Sequence, residues 1–508
     1  MVATAQPTGF DPKLIDAFVR QQVERHGLPG LALAVVNGDQ IVQLQGYGKA
    51  DPSGRPITPQ TPFVLASASK PLTALAVMQL VEAGKVELDA PVQRYIPEFR
   101  VAATKGQPSA SQQITVRHLL QHTSGIPEVG CQSNRFDAKT LAEFVTALQT
   151  IELDAPVGAR HFYCSGNYNI LGYLIERVSG QSYAVYMQQH LFTPLAMQHS
   201  FTEESPAKLA GLAQGYHWLF GVPMPAQVPY EAAQMPSGFL IASAEDLAHF
   251  LIAQLNGGRF GITQILSPQG IAAMHAPGVP VGDSQDTYGL GWRTTNLGGV
   301  PVIAHSGDHP DVHTLIFMEL EHRRGAVLLL NSQNMLAQFG AYREIEAGIA
   351  RLLAEQKPMS ATALRLPTLY LVLDGVLGAL LLLALCSFLR LPRWTKQLQQ
   401  RQAAGQLRLR WVNLRLFWEL GFPIVLLVSA RLLLHLLGAQ SWAEGLLLFP
   451  DLGAWLWVFA ALLLLTGGLR LINLRRVLRH AGGLVGANAN SDVDWVDSHT
   501  QGDARGLI

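Results

Sequence analysis

The sequence predicts an α+β fold: one large domain built on an antiparallel sheet with a helical subdomain inserted, followed by three transmembrane helices. Two patterns point there. Strand-like apolar runs stand near both ends of the first part of the chain, at residues 31–36, 314–317 and 326–330, with helical spacing between them. Beyond Leu366, where the hydrophobic excess of this 508-residue, 49% hydrophobic chain is concentrated, three long apolar runs follow one another.

Residues 31–36 (Leu-Ala-Leu-Ala-Val-Val) read as a buried strand, and residues 41–45 as its hairpin partner across Asn37-Gly38. From Pro71 to Ala83, the apolar residues Leu72, Leu75, Ala76, Leu80 and Ala83 keep helical spacing. Pro71 suits a first turn, where a missing N–H costs little, and Gly84 ends the helix. Residues 171–178 form a further helix closed by Gly180, and residues 314–317 and 326–330 are adjacent late strands. The sheet then pairs the two ends of the domain. The expected division is a leader or signal remnant at 1–11, where Ala3-Thr4-Ala5 is like the small-residue end of a cleaved signal. The domain follows at 12–353, a linker at 354–368, the membrane region at 369–479 and a disordered cytoplasmic tail at 480–508.

The apolar runs, near residues 369–389, 416–437 and 452–474, are each about the 20 residues that cross a bilayer. Between the first and second lie Arg390, Arg393, Lys396, Arg401, Arg408, Arg410 and Arg415 with no acid; between the second and third lie Glu444 and Asp451 with no Lys or Arg. Basic loops stay in the cytoplasm, so the large domain is expected on the outer side and the C-terminus inside. From Leu366 onward the chain carries 13 Lys and Arg against 8 Asp and Glu, and before it 24 against 29. A mildly acidic globular part argues against nucleic acid as partner; the bilayer is the expected one.

Three short motifs carry chemistry: Ser67-Ala68-Ser69-Lys70, Tyr163-Cys164-Ser165 and His305-Ser306-Gly307. Ser67 opens a helix, where the dipole favours negative charge, and Lys70, three residues on, shares its face. A lysine whose amine is neutralised by burial can take the serine proton. Alone, that pair is better described as a helix cap and a surface lysine; the other motifs reverse that reading. Gly307 follows an apolar strand and lets a ligand approach its backbone.

Together these motifs resemble the serine hydrolases of the penicillin-binding-protein and class C β-lactamase superfamily, which implies a β-lactamase/transpeptidase-like domain. Leu28-Pro29-Gly30, residues 119–125 (Leu-Leu-Gln-His-Thr-Ser-Gly) and Gly289-Leu290-Gly291-Trp292 match its patterns in order, over residues 12–353. The resemblance implies Ser67 as nucleophile and Lys70 as base, with Tyr163 relaying a proton to the leaving group and His305 supporting that transfer. It also implies an oxyanion hole from the N–H groups of Ser67 and Asp308, with Ser165, Ser306 and Gly307 against the substrate. Ser165 departs from the usual Tyr-x-Asn, and His305 from the Lys-Thr-Gly of β-lactamases and transpeptidases.

The expected function is an extracytoplasmic membrane-bound serine hydrolase that forms an acyl-enzyme on a small peptide-like amide or ester. Some relatives with three C-terminal spans and Tyr-x-Ser remove an N-acyl-D-amino-acid group from a secreted natural product. The alternatives are a D-alanyl carboxypeptidase, a β-lactamase and, from another class, a non-catalytic membrane sensor. No cofactor and no metal are expected: His305, His309 and His313 recur every four residues, but Gly307 and Pro310 exclude the helix that would align them. Cys131 and Cys164 read as two separate thiols.

Overall fold

In the computed structural model, which describes residues 10–102, 110–128, 138–226, 228–359, 363–436, 442 and 450–489, the chain forms two compact units, Met1–Leu371 and Val372–Ile508. The first is built on an antiparallel eight-stranded sheet. Strand Gly30–Asn37 makes a hairpin with Gln40–Gly48, and on its other edge Leu31 lies opposite Leu330 of strand Arg324–Leu330. The N-terminal and C-terminal strands of the domain are therefore neighbours. The sheet continues through Val312–Glu319, Val300–His309 and Arg293–Leu297 to the short strands Thr287–Tyr288 and Val279–Pro280.

The near-continuous apolar run in strand Gly30–Asn37 is explained by two covered faces. Ala32, Ala34 and Val36 enter one core with Leu72, Leu75, Leu247 and Leu251; Leu31, Leu33 and Val35 enter another with Ile15, Val19, Ile345 and Ile349. Each fully buried Leu or Val contributes about 1.5–3 kcal/mol. The second face is covered by helix Pro12–His26, capped by Asp11 and closed by left-handed Gly27, together with helix Arg343–Leu353. The first is covered by helices of the inserted subdomain, among them Lys70–Glu82 and Ala244–Leu255.

The stretch read as a linker, 354–368, is partly tied to the first unit. Arg25 donates to Ala363 O at 2.6 Å, Leu366 N to His26 Nδ1 at 3.4 Å, and the rings of Trp218 and Tyr370 stack at 6.1 Å. The first long apolar helix starts at Leu366, three residues before the expected span, because these contacts hold its first turns. Three helices, Leu366–Leu389, Leu409–His435 and Asp451–Arg479, are long and apolar enough to cross a membrane. In the second unit the fully buried Arg470 pairs with Glu419 and donates to Ser387 O at 2.9 Å, so one buried charge joins all three. The last helix is Pro450–Ala489, and residues 490–508 lie outside the described residues.

Candidate active site

The Ser67 turn is built by backbone constraint. Short strand Phe63–Val64 pairs with Ile241–Ala242, then Ala66 takes a left-handed φ of 47° and starts the 3-10 turn Ala66–Ser69. That turn runs directly into helix Lys70–Glu82, with Pro71 in its first turn. The segment Met235–Phe239 lies alongside, where Thr73 Oγ1 donates to Pro236 O at 2.7 Å and Leu240 N to Ser69 Oγ at 3.2 Å.

Strand Val300–His309 closes on the same turn. A Cβ at Gly307 would lie 2.3 Å from Leu65 O and 2.8 Å from Ala68 N, so only glycine allows this approach. Thr314 Oγ1, on the neighbouring strand, donates to Leu65 O at 2.7 Å. Pairing with strand Arg293–Leu297 stops at Arg293 opposite Ala304. Among the described residues, the stretch from His305 to His309 is therefore strand-paired on one edge only.

Lys70 is fully buried. Its Nζ donates to Ser67 Oγ at 2.9 Å and Ser237 O at 2.8 Å, and lies 3.4 Å from Ser165 Oγ. Among the described residues no carboxylate forms an ion pair with it. Burial lowers the amine to about 7, against the opposing pull of Glu128. The Tyr163 ring centroid is 4.9 Å from Nζ. Burial raises the Tyr163 phenol well above its usual range, Tyr288 adds to this, and a hydrogen bond with Ser67 opposes it.

His305 is held by Tyr288. Its Nδ1 is 2.7 Å from Ser306 O, which can only accept, so Nδ1 carries the proton and Nε2 accepts from Tyr288 Oη at 2.9 Å. Burial, then the charge of Lys70, lowers His305 to about 3, and the ring is neutral. The three spaced histidines do not converge. His309 packs on Phe239 at 4.5 Å, and His313 lies between Asp308 Oδ1 at 2.7 Å and Glu346 Oε1 at 2.8 Å.

A cavity of about 1140 Å³ is lined in part by Ser67, Tyr163, Ser165, His305, Ser306 and Asp308. Gly307 lies beneath it against the serine turn, and Lys70 lies behind Ser67. The structure thus brings every expected site residue to one place. It adds four that sequence reasoning missed. Glu128 accepts from Ser165 N at 2.6 Å, the Ser237 carbonyl holds Lys70, Tyr288 holds His305, and His122 packs at a tilt against Tyr163, with ring centroids 4.3 Å apart, while accepting from Cys164 N at 3.1 Å. Glu128 stands three residues beyond the quoted Leu119–Gly125 motif and Tyr288 immediately before Gly289-Leu290-Gly291-Trp292, so both were within reach of the motifs.

Cys164 corrects the reading of separate thiols: it is disulfide-bonded, while Cys386 is free. Cys131 lies outside the described residues. A bond at Cys164 restrains the backbone between Tyr163 and Ser165.

A family profile described as Beta-lactamase matches residues 15–349. Protein flp of Staphylococcus aureus (strain MW2) is 27% identical over 328 residues, 64% of each chain, so this chain spans about 64% of the length of that curated relative. Penicillin-binding protein 4 of Amycolatopsis lactamdurans is 32% identical over 296 residues, 56% of this chain and 75% of that one. The octameric penicillin-binding protein homologue from Pyrococcus abyssi superposes with a TM-score of 0.59 at 27% identity, covering 69% of this chain and 79% of that one. EstCE1, a hydrolase with promiscuous acyltransferase activity, shares the fold at 21% identity and a TM-score of 0.57, over 66% and 98%.

Proposed function

Because the chain belongs to the Beta-lactamase family of serine hydrolases, we propose that it is a membrane-anchored, extracytoplasmic hydrolase that cleaves a small peptide-like amide or ester through an acyl-enzyme on Ser67. One observation carries this reading: a fully buried amine lowered to about 7, 2.9 Å from the Ser67 hydroxyl. When neutral, Lys70 takes the Ser67 proton as Oγ attacks the substrate carbonyl. The oxyanion is received by the N–H groups of Ser67 and Asp308, such donors contributing about 3 kcal/mol each. The carbon–heteroatom bond then breaks, and the leaving group takes a proton from Tyr163, which regains one from Lys70. Water attacks the acyl group, giving its proton back along the same path, and Ser67 is released.

Substrate class follows from His305. A lysine there would supply a fixed positive charge, whereas His305 is neutral with both nitrogens engaged. That favours neutral peptide-like amides and esters, including D-amino-acid amides and N-acylated products, over wall peptides or β-lactams bound by a carboxylate. A fluorophosphonate probe should label the wild type and not Ser67→Ala, and Ser67→Ala should lose turnover with an unchanged melting temperature. Activity within tenfold, about 1.4 kcal/mol of barrier, would remove Ser67 from the mechanism. A screen of D- against L-amino-acid amides and short esters then separates peptidase from esterase.

The proposed sidedness rests on the seven basic residues from Arg390 to Arg415. Protease added to intact spheroplasts should digest the domain before Leu366 and spare that segment; the reverse pattern would place the catalytic domain in the cytoplasm.

A further inference from the structure

The hairpin of strands Tyr216–Leu219 and Val222–Pro225 has unusual turn chemistry. Two-residue hairpin turns favour Asn, Asp and Gly. Here the turn is Phe220-Gly221, and the seven residues 219–225 include no charged or hydrogen-bonding side chain. Phe220 adopts a left-handed φ of 49°, which a bulky residue rarely takes. Phe220, Val222 and Met224 are 48%, 55% and 41% exposed, and Val222 and Met224 share one strand face. A single exposed apolar residue needs no explanation, but a wholly apolar hairpin tip does.

What stands beside the tip identifies its occupant. A Cβ on Gly221 would lie 2.8 Å from Tyr370 Cβ, and Trp218 stacks on the Tyr370 ring. Tyr370 belongs to helix Leu366–Leu389. That helix rises about 36 Å at 1.5 Å per residue, against a hydrocarbon core of about 30 Å. The core therefore begins within its first turns, near Tyr370 and the 74% exposed Leu371. Arg365, exposed just before the helix, is placed for lipid phosphate.

We propose that the hairpin tip, residues 220–224, inserts into the headgroup–acyl boundary of the leaflet in which helix Leu366–Leu389 starts, as a second, non-spanning anchor. This rests on reading that helix as a membrane span. Val222 and Met224 are then taken out of water.

The test uses the full chain with Cys386→Ser, reconstituted in phosphatidylcholine–phosphatidylglycerol vesicles. A nitroxide is placed at Val222→Cys and, independently, at Met224→Cys, with Val376→Cys inside the helix as reference. Power saturation compares collisions with oxygen, which partitions into lipid, and with a water-soluble nickel chelate. Positions 222 and 224 should collide more with oxygen than with nickel, as 376 does. If 222 and 224 favour nickel while 376 favours oxygen, the helix spans but the hairpin stands in water, and the proposal falls. If 376 itself favours nickel, the membrane reading fails and takes the proposal with it.

Discussion

Lys70 and His313 are both basic, both buried and both in the first unit, yet their affinities for a proton are shifted in opposite directions. Lys70 meets two hydroxyls and a carbonyl. His313 is gripped between the carboxylates of Asp308 and Glu346, and Gln333 and Gln338 also bind Asp308. Burial pushes both groups toward neutrality. For Lys70 it wins and the amine falls to about 7. For His313 the two carboxylates overcome it and the ring rises to about 10. Counter-charge decides between them: a unit charge at 4 Å is worth about 4 kcal/mol at an effective dielectric of 20, or about three units of pKa. A buried base with no carboxylate in ion-pair contact among the described residues can give up its proton near neutral pH, whereas a buried cation with two is a structural rivet beside the strand edge.

The largest expected effect comes from forcing Lys70 to keep its charge. Lys70→Arg stays protonated at every working pH, and Lys70→Met has no base. Both should lower kcat/KM by at least about 10³-fold, and a Lys70→Arg enzyme within tenfold of wild type would show that the amine is not the base. Tyr163→Phe added to either should cost little more, since both serve one proton path.

Next is removal of the rivet. His313→Gln leaves two carboxylates without their cation and should cost about 3–5 kcal/mol of stability. The folded-state value of His313 is raised from 6.5 to about 10. Its contribution is therefore fully present below 6.5 and lost as pH rises through about 10. The melting-temperature gap between wild type and variant should be widest near pH 6 and shrink toward pH 10; a gap independent of pH would show that His313 acts by packing alone.

The smallest effect tests Glu128, the carboxyl that acts on Lys70 among the described residues. Activity should rise through about pH 7 as Lys70 loses its proton. Glu128 raises Lys70, so Glu128→Gln, which keeps an acceptor for Ser165 N, should move this limb to lower pH with less than a tenfold change in the plateau. An unmoved limb would separate Glu128 from the lysine.

Much of this was legible in the chain. Ser67 and Lys70 meet because residues three apart share a helical face, and the hairpin forms around Gly38, left-handed at φ 62°, although its two-residue turn is Gly38-Asp39, one residue on from the expected Asn37-Gly38, with Asn37 paired opposite Gln40. The Ser237 carbonyl was not legible: it reaches Lys70 from 167 residues away, through a backbone atom that no side-chain pattern marks. Nor was the bonded state of Cys164, or the docking of the linker through Ala363 and Leu366.

The sequence by itself determined the elements and the groups proposed to react: strand runs, the Ser67–Lys70 turn, the three motifs and three apolar helices, all set by local periodicity and residue chemistry. Only the tertiary structure decided the electrostatics. Whether Lys70 is neutral, His305 locked and His313 charged depends on which remote segments exclude water and which bring a carboxylate, and those distances exist only once the chain has folded.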